Sequence, residues 1–245
     1  MLSATGLGFA YGRFRSDVVL DGLDWTVAPG RRTVLLGPNG AGKSTVLKLL
    51  SGYLAPRRGS VTYDGISKRR HLHRHVAWMP QLVTPLKGLT VEEQVEYAGW
   101  VAGLSSKDSR THASVAIEAV RLDDKAQARA DALSGGQLRR LGLAQALVRR
   151  SDVLLLDEPT AGLDPAQTVN FREILRNVHA PGGIVVSTHQ VSDLGDDVDH
   201  VAVIADGRLR FDGTVDEFVT HGRARGVTSG SLVDVFADIV AGGLH

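Results

Sequence analysis

The apolar positions of the chain fall into short runs whose period switches between two and 3.6. Residues 2–32 read as short strands and turns: Val18–Leu20 and Leu23–Val27 are strand-like, and Pro29–Gly30 closes the stretch with a turn. Thr33–Leu36 is a β-prone apolar run, and Val46–Leu50 suits a helix. Gly59–Tyr63 predicts a strand and Asp64–Gly65 a turn. The basic piece Lys68–His75 carries His71, His73 and His75 at alternate positions, which in a strand share one face. His75–Met79 reads as a further short strand, ending at Pro80 and Gln81.

A mostly helical section follows. Thr90 and Glu93 make a capping box, and Val91, Val95, Ala98 and Val101 fall on one helical face. The pattern weakens between Ser105 and Arg129, where Val115, Ile117, Ala119 and Val120 remain. Ser134 is a good N-cap for a helix over Leu138–Arg150, whose apolar and basic residues recur at helical spacing. Val153–Leu156 and Gly183–Ser187 are buried-strand runs, with a turn at Ala161–Pro165 and a helix near Ala166–Arg176 between them. Val201–Ile204 and Leu209–Phe211, joined through Asp206–Gly207, predict a hairpin, and Asp216–Thr220 a helix. Residues 222–230 have the composition of a linker, after which Leu232, Val233, Phe236, Ile239 and Val240 make a short amphipathic helix. The sum is an α/β domain with a helical insertion.

The chemistry concentrates at the ends of the apolar runs. Gly37, Pro38, Asn39, Gly40, Ala41, Gly42, Lys43, Ser44 and Thr45 fit G-x-x-x-x-G-K-[ST], between the strand and helix that this P-loop pattern requires. Glycines let the backbone bend around an anion, and successive N–H groups then face phosphates. Lys43 is placed to reach the β- and γ-phosphates, and the Ser44 hydroxyl to take one position on Mg²⁺. An ordinary glycine-rich turn is the bland alternative, and the flanking elements weigh against it. Asp157 and Glu158 follow the run Val153–Leu156 at once. At the exit of an inner parallel strand Asp157 can hold Mg²⁺ through its water shell, and Glu158 can accept a proton from an attacking water. His189 ends another such run and faces the same crevice. Ser134, Gly135, Gly136 and Gln137 stand at a helix N-terminus, a second place suited to an anion. Tyr11 could stack on a nucleobase or lie half-buried in a β-layer. The alternating histidines could hold a metal, but no carboxylate stands beside them, and a solvated polar edge is the better reading.

Composition narrows the class. The hydrophobic share is 43%, the charged share 22% and the net charge +1, so nothing calls for nucleic acid or an acidic partner. With no cysteine, disulfides and thiolate metal sites are excluded. No signal peptide is expected, and no apolar stretch approaches the ~20 residues of a membrane span.

Taken in order, the P-loop, Gln81, the LSGGQ run Leu133–Gln137, the apolar strand with Asp157 and Glu158, Gly162–Asp164 and His189 resemble the ATPase subunits of ATP-binding-cassette (ABC) transporters. The likeness covers about residues 2–220, with a helical subdomain over about 84–140, and leaves 221–245 as linker and short helix. It implies an ABC ATPase fold: a P-loop core with a mainly parallel sheet, an antiparallel β-subdomain and an α-helical subdomain. It also implies ATP and Mg²⁺ as ligands, and a head-to-tail dimer, homomeric or pseudo-symmetric. The partner is a membrane-spanning permease on a separate chain, and the protein sits on the cytoplasmic side of the cell membrane. By the same resemblance Tyr11 stacks on adenine and Gly37–Thr45 hold phosphates and metal. Gln81 senses metal and water, and Ser134–Gln137 close on the γ-phosphate in trans. Asp157 assists the metal, Glu158 is the general base, Asp164 signals across the dimer and His189 contacts the γ-phosphate. The tail Ser231–Ile239 is similar to the "SLEDVF" ending of bacterial drug- and antibiotic-exporter ATPases, with valine at 233 in place of glutamate. Two rival readings are a soluble ABC-type ATPase acting on DNA or ribosomes, and a non-hydrolysing nucleotide-dependent scaffold.

Overall fold

The computed structural model describes residues 1–12, 17–195, 197–224 and 232–241. Its strands are β1 (Leu2–Tyr11), β2 (Asp17–Thr26), β3 (Arg32–Leu36), β4 (Arg58–Tyr63), β5 (Val76–Met79), β6 (Val153–Asp157), β7 (Gly183–Thr188), β8 (His200–Ala205) and β9 (Arg208–Thr214). Its helices are α1 (Lys43–Leu50), α2 (Arg69–His75), α3 (Val91–Val101), α4 (Ser106–Ala119), α5 (Gly135–Leu147), α6 (Pro165–Arg176), α7 (Val215–Ala224) and α8 (Leu232–Val240). The main sheet has the order β5-β6-β7-β3-β8-β9, parallel from β5 to β8, with β9 antiparallel at its edge. A second, antiparallel sheet has the order β2-β1-β4. The expected α/β architecture is the observed one.

Strands covered on both faces need apolar residues throughout, and β6 is buried along its whole length. One core joins the antiparallel sheet to the main sheet through Leu7, Leu20, Trp25, Leu47, Leu35 and Leu155. Another seats α3, α4, α5 and α6 on the other face through Val95, Ile117, Leu141, Leu156 and Phe171. Each such fully buried side chain contributes about 1.5–3 kcal/mol relative to exposure. The strand order sets β7 between β3 and β6. Register then aligns Leu36 with Thr188 and Asp157 with Ser187, so the carboxyl ends of three strands open at one level.

Four local expectations need correction. The histidine piece is a helix, α2, and not a strand. Leu72 is its buried residue, so one apolar side chain anchors one turn, and extended pairing begins only at Val76. Helical spacing splits the histidines. His71 and His75 share a face with ring centroids 4.5 Å apart, and His75 stacks on Tyr63 at 4.6 Å. His73 turns away to the Gly52 carbonyl at 3.2 Å. His75 Nδ1 lies 2.5 Å from Asp152 Oδ2, so a carboxylate does stand beside the piece, though among the described residues no His, Cys, Asp or Glu group is arranged to hold a metal ion.

Val101 is exposed, because ten residues after Val91 the helix has turned off its buried stripe. Gln94 is instead fully buried beside Val91 and Val95; its amide accepts from Leu86 N at 2.8 Å and donates to Thr84 O at 3.2 Å. In α8 the buried residues are Val235 and Ile239, while Val233 is exposed. The stripe runs 232, 235, 236, 239 and 240 onto β8, and joins the core of Val34, Leu36, Val201, Val203 and Phe218. Finally, α7 carries helix through Ala224 where a linker was expected from 222, and residues 225–230 of that linker lie outside the described residues.

Tyr63 gives this region a pH signature. Burial first, and then the neighbouring Asp152 carboxylate, push its hydroxyl up to about 12. A folded-state value above the unfolded one, near 10, means that the stability is complete below pH 10 and is lost as pH rises through about 12. The difference in urea-unfolding free energy between wild type and Tyr63→Phe should therefore shrink across that window, by up to about 2 kcal/mol. A difference that stays constant from pH 9 to 12 would contradict this.

Candidate nucleotide site

The loop between β3 and α1 is shaped by what cannot be there. A Cβ on Gly37 would stand 2.5 Å from the Ile204 carbonyl oxygen, so the strand exit admits only glycine. Gly42 is the N-cap of α1 at φ 103 and offers no side chain to the first turn. The first amides of α1 therefore receive no side-chain cap from Gly42, and as helix-end donors they have no acceptor within the helix, which suits them to an anion. Lys43 is 5% exposed. Its Nζ donates to the carbonyls of Gly37 at 2.7 Å and Pro38 at 3.1 Å. Burial lowers its pKa below the ordinary lysine value, while Glu158 and then Asp157 pull it back up.

Two carboxylates meet this cation. Asp157, buried at the end of β6, accepts hydrogen bonds from Ser44 Oγ at 3.0 Å and Ser187 Oγ at 2.8 Å. Glu158 is the next residue and sits at φ 43, a left-handed conformation that costs a non-glycine residue about 1–3 kcal/mol. Its backbone N–H donates to Ser187 Oγ at 3.0 Å, which helps hold that turn. Its carboxylate collects three groups from three elements: Lys43 Nζ at 3.6 Å, Gln81 Nε2 at 3.2 Å and His189 Nδ1 at 3.5 Å. The P-loop, Gln81, Asp157, Glu158 and His189 therefore share one crevice at the carboxyl ends of the strands.

Of the other sequence-predicted residues, Tyr11 borders the P-loop, and Ser134–Gln137 and Asp164 lie apart from the crevice. Tyr11 is 43% exposed, shares a 3.2 Å hydrogen bond with Thr45 Oγ1, and packs edge-on against Phe9. Ser134 and Gln137 engage each other: Ser134 N donates to Gln137 Oε1 at 2.9 Å, and Gln137 N to Ser134 Oγ at 3.4 Å. The two bonds form a capping box, which S-x-x-Q spells in the sequence beyond the N-cap alone. Gly135 has open space where a side chain would stand, whereas at Gly136 a Cβ would meet Gln167 at 2.8 Å. Among the described residues no hydrogen bond or ion pair links Ser134–Gln137 to the P-loop or Glu158. Asp164 caps α6, accepting from Gln167 N at 2.8 Å, with Pro165 at the first helical position.

Two residues at the crevice escaped sequence reasoning. Ser187 reads from the sequence only as the end of a buried strand, yet a hydroxyl where an apolar run ends needs a hydrogen-bond partner if it is buried. Arg139 reaches the Gln81 carbonyl with one N–H and the Ala161 carbonyl, at 2.9 Å, with another. Nothing in its position within a basic-apolar helix marks it out.

The donor set suits a magnesium nucleotide. Free helix-end amides and a buried lysine suit phosphate, and a serine hydroxyl bonded to a buried aspartate supplies the hard oxygen ligands that Mg²⁺ accepts.

Known proteins resemble this chain in sequence and in fold. The family model described as "ABC transporter" matches residues 20–161. "Nod factor export ATP-binding protein I" of Burkholderia lata is 40% identical over 200 residues, which make up 80% of this chain and 66% of that protein. "Phosphonates import ATP-binding protein PhnC" of Thiobacillus denitrificans is 38% identical over 209 residues, 80% of this chain and 81% of that one. A solved structure described as "Structure of ATP binding subunit of ABC transporter" superposes with a TM-score of 0.81 at 26% identity, covering 98% of this chain and 99% of that one. The chain spans just under two thirds of the Nod factor relative's length. No described helix is long and apolar enough to cross a membrane.

Proposed function

Because the chain belongs to the ABC transporter family, we propose that it is the ATP-hydrolysing subunit of a transporter, working from the cytoplasmic face on a permease carried by another chain. The observation that carries this reading is the convergence of Lys43, Gln81 and His189 on Glu158, beside a P-loop with free helix-end amides. ATP is the substrate. Lys43 leaves the Gly37 and Pro38 carbonyls for the β- and γ-phosphates, and the amides of the α1 first turn take phosphate oxygens. Mg²⁺, when bound, would be held by Ser44 and Asp157 and would offset phosphate charge. Glu158 orients a water and takes its proton as the water oxygen bonds to the γ-phosphorus. The bond to the β-phosphate bridging oxygen breaks, giving ADP and phosphate. Gln81 and His189 fix the water and the γ-phosphate, and Tyr11 stacks on adenine.

Ser134–Gln137 stand outside this crevice, which supports a reading in which they serve the nucleotide of a second copy, with Asp164 at the contact between copies. Closure of two copies excludes water and strengthens every charge interaction within. Export is the direction favoured here. The Ser231–Ile239 ending and the Nod factor relative support it, while the phosphonate relative, an importer by name, marks uptake as the competing direction.

The test is phosphate release by the purified chain assembled with its membrane partner in vesicles. Turnover on the order of 1–10 s⁻¹ at millimolar ATP is expected. Hydrolysis that is absent with the membrane partner but appears on ribosomes or DNA would support the soluble rival instead.

A further inference from the structure

The groups around the Glu158 carboxylate are themselves held in place through their backbones. Gln81 donates its side chain to Glu158 Oε2 at 3.2 Å. Ala161 donates its backbone N–H to the Glu158 carbonyl at 3.2 Å. These two residues flank Glu158 from different loops, and both of their carbonyl oxygens are bonded by one guanidinium, that of Arg139. Arg139 stands on α5, within the turn that follows Ser134–Gln137. Its neighbour Arg140 turns the other way, to the carbonyls of Val120 and Arg121 beyond α4. Burial lowers the Arg139 pKa, and Glu158 and then Asp157 oppose that, so its charge is felt at both carboxylates. A planar fork can satisfy two carbonyls at once, which a lysine ammonium on a flexible stem does poorly.

We propose that Arg139 is a positioning residue for hydrolysis: by clamping the Gln81 and Ala161 carbonyls it aims Glu158 at the attacking water and ties that aim to the placement of α5. A shift of α5, the helix whose first turn is Ser134–Gln137, then moves both flanks of Glu158 together. The proposal rests on the ATPase reading above.

The experiment is a double-mutant cycle in steady-state phosphate release, with ATP binding measured alongside by calorimetry. Arg139→Ala should lower kcat by about 10- to 100-fold and change ATP affinity by less than about threefold. Combined with Gln81→Ala, it should cost markedly less than the product of the single losses, because both act on the same aim. Arg139→Lys keeps the charge but loses the fork, and should recover less than half of the lost kcat. Multiplicative losses, full recovery in Arg139→Lys, or a kcat within twofold of wild type in Arg139→Ala would each overturn the role. If Arg139→Ala does not fold, the cycle is run with Arg139→Lys, whose stem keeps the packing. A wild-type chain without hydrolysis overturns the ATPase reading and this role with it, whereas an active wild type with a multiplicative cycle overturns only the role of Arg139.

Discussion

Glu158→Gln is expected to leave ATP binding near the wild-type level while lowering turnover by about 10²- to 10⁴-fold. The amide keeps the size of the carboxylate and one oxygen for the groups around it, so the turn at φ 43 and its bond to Ser187 persist. What is lost is the oxygen that can take a proton. Lys43 and Gln81 each donate toward a different carboxylate oxygen in the native site. The amide nitrogen therefore also turns one favourable contact into a donor facing a donor. Under the proposed function phosphates are held elsewhere, by the loop amides and Lys43, so binding is expected to survive. Single-turnover phosphate release and calorimetry separate the two effects. Turnover within tenfold of wild type would remove Glu158 from the role of general base.

Lys43→Ala should act on the opposite side of that divide, weakening ATP binding on the order of 10²-fold or more. The ammonium is buried between two loop carbonyls and Glu158, so it is already desolvated before nucleotide arrives and needs only to exchange those carbonyls for phosphate oxygens. A charge held in that state meets phosphate without first giving up its water, and the interaction is strong for that reason. Alanine also leaves Asp157 and Glu158 without the buried cation beside them, and two carboxylates then face an incoming polyphosphate. Titration with a non-hydrolysable ATP analogue reads the loss directly. A dissociation constant within threefold of wild type would mean that Lys43 serves the loop's shape and not the phosphates.

What the sequence revealed of this architecture was what is local in the chain. The P-loop is one continuous stretch between a strand and a helix, so its flanks could be checked residue by residue. Asp157 and Glu158 announced themselves because four apolar residues run straight into them. The contacts that hold Glu158 in place were not legible. Ser187 meets Asp157 through the register of β6 on β7, and Arg139 meets Gln81 across 58 positions of chain. Such pairings are decided by tertiary packing, which no local period encodes. The histidine piece failed for a different reason. Alternation at three positions fits a strand and, at i and i+4, a helix equally well, and the segment folds as a helix that buries Leu72 alone of its residues. Val101 and Val233 show the same limit at helix ends, where an apolar residue can fall just off the buried stripe.

Under the proposed function each nucleotide is enclosed by two protomers, with Ser134–Gln137 of one completing the crevice of the other. The most direct measurement is specific ATPase activity across a dilution series, alongside a wild-type chain mixed with Ser134→Arg. Activity per chain is expected to fall steeply as dimer is lost on dilution, and Ser134→Arg should be inactive alone yet regain part of its hydrolysis when paired with wild type. Full activity per chain at concentrations where only monomer remains would contradict the claim.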